Sequence, residues 1–247
     1  MSDFKFPTEE VELPSKGLVY PKDNLLSSGK VEMKYMTAKE EDILTNQNYI
    51  KQGVVIDKLL KSLIVSKVNY DDMIVGDKNA VLVAARILGY GKDYDFIKDG
   101  ETVSVDLTEL ETRYLDESTM IEGKNEFAYT LPHTNTDITY KILTTRDEKK
   151  VDAEVKGLKK IDKQSSPELS TRLKYMITSV KGETDNKTIR DFVDNYMLAR
   201  DSRAFREHIK NTQPDIPMTF DYAGPNGIEE DAIVPMTAGF LWPDLRV

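Results

Sequence analysis

The stretch VVIDKLLKSLIV, residues 54–65, decides the fold class of the chain. Its apolar side chains recur at steps of three and four, which is the period of a helix with one apolar face. The stretch GDKNAVLVAARILGYG, residues 76–91, predicts a second helix over residues 80–88, with Asp77 as its N-cap and the Gly-Tyr-Gly as its end. We therefore expect a helical core rather than an all-β fold.

Other segments of the chain carry strand and turn signals. Residues 30–36 alternate polar and apolar side chains, as a half-buried strand does, and Thr37 with Glu40 has the spacing of a capping box. Residues 11–21 contain two prolines and a glycine, which predicts an extended arm ending in turns. Short alternating runs between residues 95 and 146 predict a small antiparallel sheet.

The carboxyl-terminal half predicts further helices and a hairpin. Thr144 and Asp147 mark the start of a polar helix, and residues 169–180 and 189–197 each carry a helical apolar face, so they are expected to pack as a helical hairpin. Phe205 and Ile209 lie on one face of another helix. The predicted α+β fold has an arm and first strand (residues 1–36), helices (37–94), a β-rich insertion (95–144), helices (145–213), and a β-hairpin with a tail (214–247).

Composition excludes several classes of protein. The chain has 247 residues, no cysteine and two histidines, which excludes disulfides, thiol nucleophiles and cysteine-ligated zinc. A net charge of −9, without a basic stripe, argues against nucleic acid as a partner. The apolar runs are too short to span a membrane, and the first residues do not resemble a signal peptide, so we expect the chain to stay in the cytoplasm where it is made. No cofactor, metal or catalytic residue is expected.

Five stretches of the sequence resemble a known family. They are LPSKG (residues 13–17), MTAKEEDIL (36–44), GDKNA (76–80), ARILGYG (85–91) and FLWP (240–243), and we call them the family-like stretches. Together they are similar to the baseplate hub subunit and hub assembly proteins of T-even-type, contractile-tailed bacteriophages. The resemblance implies a non-enzymatic role in building the tail baseplate hub, with other tail proteins as partners, possible homo-oligomers, and a final place in the virion.

One departure from the family concerns its β-rich stretches. Some relatives have Cys-x-x-Cys pairs there, as a zinc ribbon does, whereas this chain has no cysteine. The resemblance therefore implies two small ribbon-like insertions without zinc. Side-chain packing would have to replace the metal, with Phe96, Phe220 and Tyr222 as the candidates.

Candidate partner-binding residues lie in the two terminal family-like stretches and next to the first. Prolines fix an extended conformation and a lone tryptophan is a common interface anchor, but each of these segments is equally able to fold onto its own core. The candidates are Leu13, Pro14, Lys16, Tyr20, Phe240, Leu241 and Trp242.

Charged residues supply the alternative function, a small metal-dependent hydrolase using Asp57, Asp71 and Asp72. That function requires the three carboxylates to converge in a cleft. The acidic run of residues 40–42 is more simply a solvated first turn of a helix. Arg86 is expected to pair with Asp77 or another acid, and both histidines are expected at the surface.

Overall fold

The structure is a computed structural model that describes residues 7–163, 166–224, 227–236 and 238–241. Its fold is α+β, as the sequence predicts. The helices are α1 (Ala38–Leu44), α2 (Gln47–Gln52), α3 (Val55–Leu63), α4 (Val75–Tyr90), α5 (Thr145–Ile161), α6 (Glu168–Met176), α7 (Asn186–Asp191), α8 (Ala199–Thr212) and α9 (Ala238–Leu241). The strands are β1 (Thr8–Glu12), β2 (Lys30–Lys34), β3 (Asp93–Lys98), β4 (Glu101–Asp106), β5 (Phe127–Leu131), β6 (Thr136–Tyr140), β7 (Ile177–Val180), β8 (Thr219–Gly224) and β9 (Gly227–Ile233).

Helix α4 lies at the centre of the molecule. It contacts α3, β1 and α9, and its buried side chains include Ala80, Val81 and Ala85. Gly76 lies so close to the chain at Pro214 that an added Cβ would stand 1.8 Å from the Pro214 carbonyl oxygen. The start of α4 therefore requires glycine, because any side chain would push this segment away.

Every strand pairs antiparallel, but the strands do not form one sheet. Strands β1 and β2 pair with Val11 opposite Val31, β3 pairs only with β4, and β8 pairs only with β9 among the described residues. Strands β5, β6 and β7 form a three-stranded sheet. The prediction of one small antiparallel sheet within residues 95–146 is therefore wrong, since β3–β4 is separate from β5–β6 and β7 comes from further along the chain.

Strand β7 corrects the predicted helix over residues 169–180. Helix α6 ends at Met176, and the next four residues, Ile177–Val180, turn into a strand that pairs with β6. The helical hairpin predicted with residues 189–197 is replaced by α7 and a π-helical turn at Phe192–Tyr196. Pairing with β6 satisfies backbone groups that a longer helix would have satisfied within itself, so tertiary contacts override the local period.

Several local signals are confirmed. Thr144 and Asp147 form the capping box at the start of α5, and Thr37 with Glu40 does the same at α1. Helix α3 buries Leu59, Leu60 and Leu63 on one face. The two strands of the predicted carboxyl-terminal hairpin are β8 and β9.

The hairpins β3–β4 and β8–β9 pack against each other through aromatic rings. Phe96 meets Phe220 edge to face with ring centroids 5.8 Å apart, and Phe220 in turn contacts Tyr222 at 6.0 Å. Lys98 of β3 pairs with Glu229 of β9 at 2.9 Å. The residues predicted to hold the ribbon-like stretches without zinc thus contact one another.

Within the described parts of the chain, no helix is long and apolar enough to cross a bilayer.

Candidate functional site

The first and third family-like stretches meet in a buried hydrogen-bond network at the start of α4. The Asp77 carboxylate accepts from the Ser15 backbone N–H at 2.9 Å, from the Ser15 hydroxyl at 2.7 Å and from the Tyr20 hydroxyl at 2.6 Å. The Tyr20 oxygen also accepts from the Ile74 N–H at 3.0 Å. Asp77 is therefore not the predicted N-cap; Ile74 holds that position, and Asp77 fastens the amino-terminal loop to the helix.

Burial raises the pKa values of Asp77 and Tyr20 in this network. Asp77 is fully buried, which raises its pKa to about 6, and the hydrogen bonds from Ser15 and Tyr20 offset part of that rise. The pKa of Tyr20 is raised well above its usual value by burial and by the neighbouring Asp77. The cluster is a buried structural link between two distant segments.

Most of the predicted partner-binding residues lie in the core. Leu13 is 1% exposed and Tyr20 5%, and Pro14 is also buried. Of the two alternatives for this segment, docking on a partner or folding onto its own core, the structure has the second, because these side chains are buried. Of this group, Lys16 alone remains exposed.

The carboxyl-terminal candidates behave in the same way. Phe240 and Leu241 are buried, and the Phe240 ring meets Tyr94 edge to face at 5.1 Å. They too pack on their own core instead of offering a surface to a partner. Trp242 lies outside the described residues.

Lys16 marks a surface formed by two loops, residues 14–25 and 114–123. Its ammonium lies 5.1 Å above the Tyr114 ring and 3.6 Å from a Glu117 carboxylate oxygen. A backbone hydrogen bond of 2.7 Å from Gly123 to Leu18 joins the two loops, as does the ion pair of Lys22 with Glu122. We call the following set the Lys16 surface: Lys16, Lys22, Leu25, Tyr114 and Ile121.

The apolar members of the Lys16 surface are exposed. Leu25 is 58% exposed, Tyr114 47% and Ile121 61%. Sequence reasoning missed all three. The available signal was the presence of large apolar side chains within turn-rich, acidic segments, where a strand or helix face does not require them.

Glu40 is buried and multiply bonded, which corrects the expectation of a solvated acidic turn. Its carboxylate accepts from Lys34 at 2.7 Å, from Ser62 at 2.7 Å and from the Thr37 hydroxyl at 2.6 Å. Burial tends to raise its pKa, but these donors outweigh that effect and lower the pKa to about 2. Glu40 thus joins α1, β2 and α3, while Glu41 and Asp42 point to solvent.

Arg86 does not pair with Asp77, contrary to expectation. Its guanidinium donates to the carbonyl oxygens of Gly91 at 2.7 Å and Asp93 at 3.0 Å, and lies over the rings of Tyr90 and Tyr94. Carbonyl dipoles and ring faces stabilise this buried charge. Arg86 therefore fixes the turn from α4 into β3.

The three carboxylates of the alternative hydrolase are engaged with basic side chains. Lys149 bridges Asp57 at 3.0 Å and Asp71 at 2.7 Å. Asp72 accepts from Arg146 at 2.6 Å, and Asp57 also accepts from Lys78 and the Tyr70 hydroxyl. Among the described residues no group of three or more His, Asp or Glu is arranged to hold a metal ion. This arrangement ties α3, α4 and α5 together.

The two histidines differ from each other. His133 is exposed, as expected, and its backbone N–H donates to the buried Asp201 carboxylate at 2.8 Å. His208 is partly buried, stacks on Tyr129 with ring centroids 4.4 Å apart and shares a 2.9 Å hydrogen bond with the Tyr140 hydroxyl. Burial lowers the His208 pKa. The predicted surface position of His208 is therefore wrong.

The family-like stretches converge around α4. LPSKG meets GDKNA through Ser15 and Asp77, and the Met36 side chain packs so closely on Gly89 that an added Cβ there would lie 2.9 Å from the Met36 methyl. Helix α9, whose last two residues are the first two of FLWP, also contacts α4. Segments more than two hundred residues apart along the chain thus share one packed centre.

No protein-family model, curated protein or solved structure matches the chain.

Proposed function

We propose that the protein is a structural component or assembly factor of the tail baseplate hub of a contractile-tailed bacteriophage, acting through protein–protein binding. The observation that carries the proposal is the convergence of the family-like stretches on α4. Residues that maintain a shared fold are expected to meet in space even when they are scattered in sequence. Two such contacts are observed, one between Ser15 and Asp77 and one between Met36 and Gly89.

The Lys16 surface supports the binding part of the proposal. It joins exposed aromatic and aliphatic side chains to two lysines, a composition found in the cores and rims of protein interfaces. Partners would be other baseplate and tail proteins, or a second copy of the chain. The protein would be made in the host cytoplasm and would act there or in the virion.

A capture experiment tests the binding. The tagged chain, produced during phage infection, is expected to retain identified baseplate proteins, and the double variant Lys16→Glu with Tyr114→Ala is expected to retain at least about tenfold less. Lys160→Glu changes an exposed lysine on α5 and serves as the charge-matched control. Equal retention by all three proteins would remove the Lys16 surface from the proposal, and no retained baseplate protein would contradict the proposal itself.

Mass spectrometry of purified mature particles separates the two forms of the proposal. A copy number equal to a small symmetric multiple of known tail proteins identifies a hub subunit. A chain that is abundant in infected cells and missing from the particles is an assembly factor.

A further inference from the structure

The free edge of β8 lines a surface cleft that it shares with β4. The cleft has a volume of about 530 Å³ and is lined by residues 104–106 of β4, residues 109–111 and Arg113 of the following segment, Pro217, residues 219–221 of β8, and Asp231. Each of these two strands has a single strand neighbour among the described residues, β3 for β4 and β9 for β8. Residues of two strands with a free edge therefore line one opening.

The hydrogen-bond pattern shows which backbone groups of β8 point into the cleft. Val234 donates its N–H to the Met218 carbonyl at 2.9 Å, so residues 218 and 234 form a hydrogen-bonded pair. Alternation along an antiparallel ladder then turns the N–H and C=O of Thr219, the next residue of β8, away from β9. The register shifts between Phe220 and Tyr222, so the alternation ends there. No strand other than β9 pairs with β8 among the described residues, so the Thr219 N–H faces no neighbouring strand.

The turn between β3 and β4 shows which backbone groups of β4 point away from β3. Asp99 and Gly100 both have positive φ, as a two-residue turn of type I′ requires, so Lys98 and Glu101 form the first hydrogen-bonded pair. Hydrogen-bonded and non-hydrogen-bonded pairs alternate along the ladder, and Ser104 with Asp95 is the third pair after Lys98 with Glu101. Ser104 therefore directs its N–H and C=O away from β3. Thr219 and Ser104, whose backbone groups point away from their hairpin partners, both line the cleft.

The chain already uses one end of the β8 edge for strand pairing. Arg113 and Asp215 exchange backbone hydrogen bonds of 2.8 and 2.9 Å in an antiparallel bridge, just before β8 begins. Beyond Pro217, which has no N–H to donate, the edge is open. An added strand would continue the pairing that Arg113 starts.

The side chains around the cleft define the chemistry of the occupant. Leu110, Pro217 and Phe220 provide apolar surface, while the rim carries the carboxylates of Asp106, Glu109, Glu111, Asp221 and Asp231. Asp106 is paired with Lys92. Among the described residues that line the cleft, Arg113 is the one basic residue, and its guanidinium donates to the Lys210 carbonyl. The rim is therefore negative and complements a basic segment.

We propose that the β8 edge binds an extended segment of a partner protein in which apolar residues alternate with lysine or arginine. The backbone of that segment pairs with Thr219, its apolar side chains face Phe220 and Leu110, and its basic side chains meet the acidic rim. The identity of the partner as a tail protein rests on the proposed function, whereas the binding of such a segment does not.

The test uses two proline variants and a model peptide. Thr219→Pro removes the N–H that points into the cleft and leaves the β8–β9 hydrogen bonds intact, because proline is tolerated on a free strand edge. Ile233→Pro is the matched control, since Ile233 is the cross-strand partner of Thr219 and directs its N–H to the opposite edge. The probe is a fluorescent ten-residue peptide of alternating lysine and valine, and a glutamate–valine peptide of the same length is its charge control.

Binding of the lysine–valine peptide is expected to be at least about tenfold tighter than that of the glutamate–valine peptide. Thr219→Pro is expected to weaken it by at least about tenfold, and Ile233→Pro by less than about twofold. Equal binding by the two proline variants, or no saturable binding by the native chain, overturns the proposal. Hydrogen exchange on the native chain is a second test: the peptide must slow exchange at Thr219, and unchanged exchange there overturns the proposal even if a variant fails to fold.

Capture of tail proteins during infection separates this inference from the proposed function. Loss of an identified tail protein in Thr219→Pro but not in Ile233→Pro supports both. Equal capture by both variants overturns the inference and leaves the proposed function standing, while a native chain that captures no tail protein overturns the proposed function. If Thr219→Pro instead converts a dimer of the native chain to a monomer, a second copy fills the edge and the proposed partner is wrong.

Discussion

Ser15 donates two hydrogen bonds to the buried carboxylate of Asp77, one from its backbone N–H at 2.9 Å and one from its hydroxyl at 2.7 Å. The two residues are 62 positions apart, and both are almost wholly buried. This contact closes the amino-terminal loop onto α4 and places LPSKG beside GDKNA. It is the clearest link between the sequence resemblance and the packing of the chain.

Asp77→Ala should destabilise the protein strongly. The substitution leaves the Ser15 N–H, the Ser15 hydroxyl and the Tyr20 hydroxyl without their acceptor in a buried site. We expect the free energy of unfolding at pH 5 to fall by about 3 kcal/mol, as measured by urea denaturation. The control Asp42→Ala removes an exposed acid from α1 and should change it by less than about 0.5 kcal/mol.

Asp77 should also impose a pH dependence on stability. Because burial raises its folded-state pKa to about 6, the folded chain binds this proton more tightly than the unfolded chain does. The stabilisation is fully present below the unfolded pKa near 3.8 and is lost as the pH rises through about 6. Between pH 4 and 7, the native chain should lose up to about 3 kcal/mol relative to Asp77→Asn. Unfolding curves of both proteins that shift in parallel with pH would refute this.

Glu40→Ala should cost about 3 kcal/mol of unfolding free energy at pH 7, because Lys34, Ser62 and Thr37 all lose their shared acceptor. The neighbouring Glu41→Ala, at an exposed position, should cost less than about 0.5 kcal/mol. Since the pKa of Glu40 is lowered to about 2, its contribution is present above the unfolded value of 4.5 and is lost as the pH falls toward 2. Equal effects of the two alanine variants would show that the buried network does not contribute.

Two glycine-to-alanine changes should alter the stability of the folded chain in opposite directions. Gly76→Ala puts a methyl group 1.8 Å from the Pro214 carbonyl oxygen and should destabilise the chain by about 3 kcal/mol. Gly157→Ala lies within α5, where nothing stands within 4 Å of the added Cβ, and should stabilise the chain by about 0.5–1 kcal/mol. Thermal unfolding of the two variants measures both effects. A stabilised Gly76→Ala would mean that α4 does not pack against Pro214.

Local signals predicted the elements whose causes are local. The capping boxes at Thr37 and Thr144 and the apolar period of α3 depend on neighbours within a few residues, so the sequence shows them directly. Strand β7 was not predictable in this way. Ile177 and Val180 fit a helical face as well as a strand, and pairing with β6, some forty residues away, decides between them.

The candidate site was predictable only in part, for the same reason. LPSKG and GDKNA were recognised as important segments, but the contact of Ser15 with Asp77 depends on tertiary structure. A docking arm and a buried loop can have the same local sequence, so the sequence left both alternatives open for Leu13 and Tyr20, which lie in the core. The open edge of β8 has no sequence signature, because it depends on which strands are left without a neighbour.

The most direct test of the proposed function is electron microscopy of tails from a phage in which a stop codon interrupts the gene for this chain. The account predicts tails that lack a baseplate or fail to assemble, with baseplates restored when the native chain is supplied from a plasmid and not when Asp77→Ala is supplied. Contractile tails with complete baseplates in the absence of the chain would contradict it.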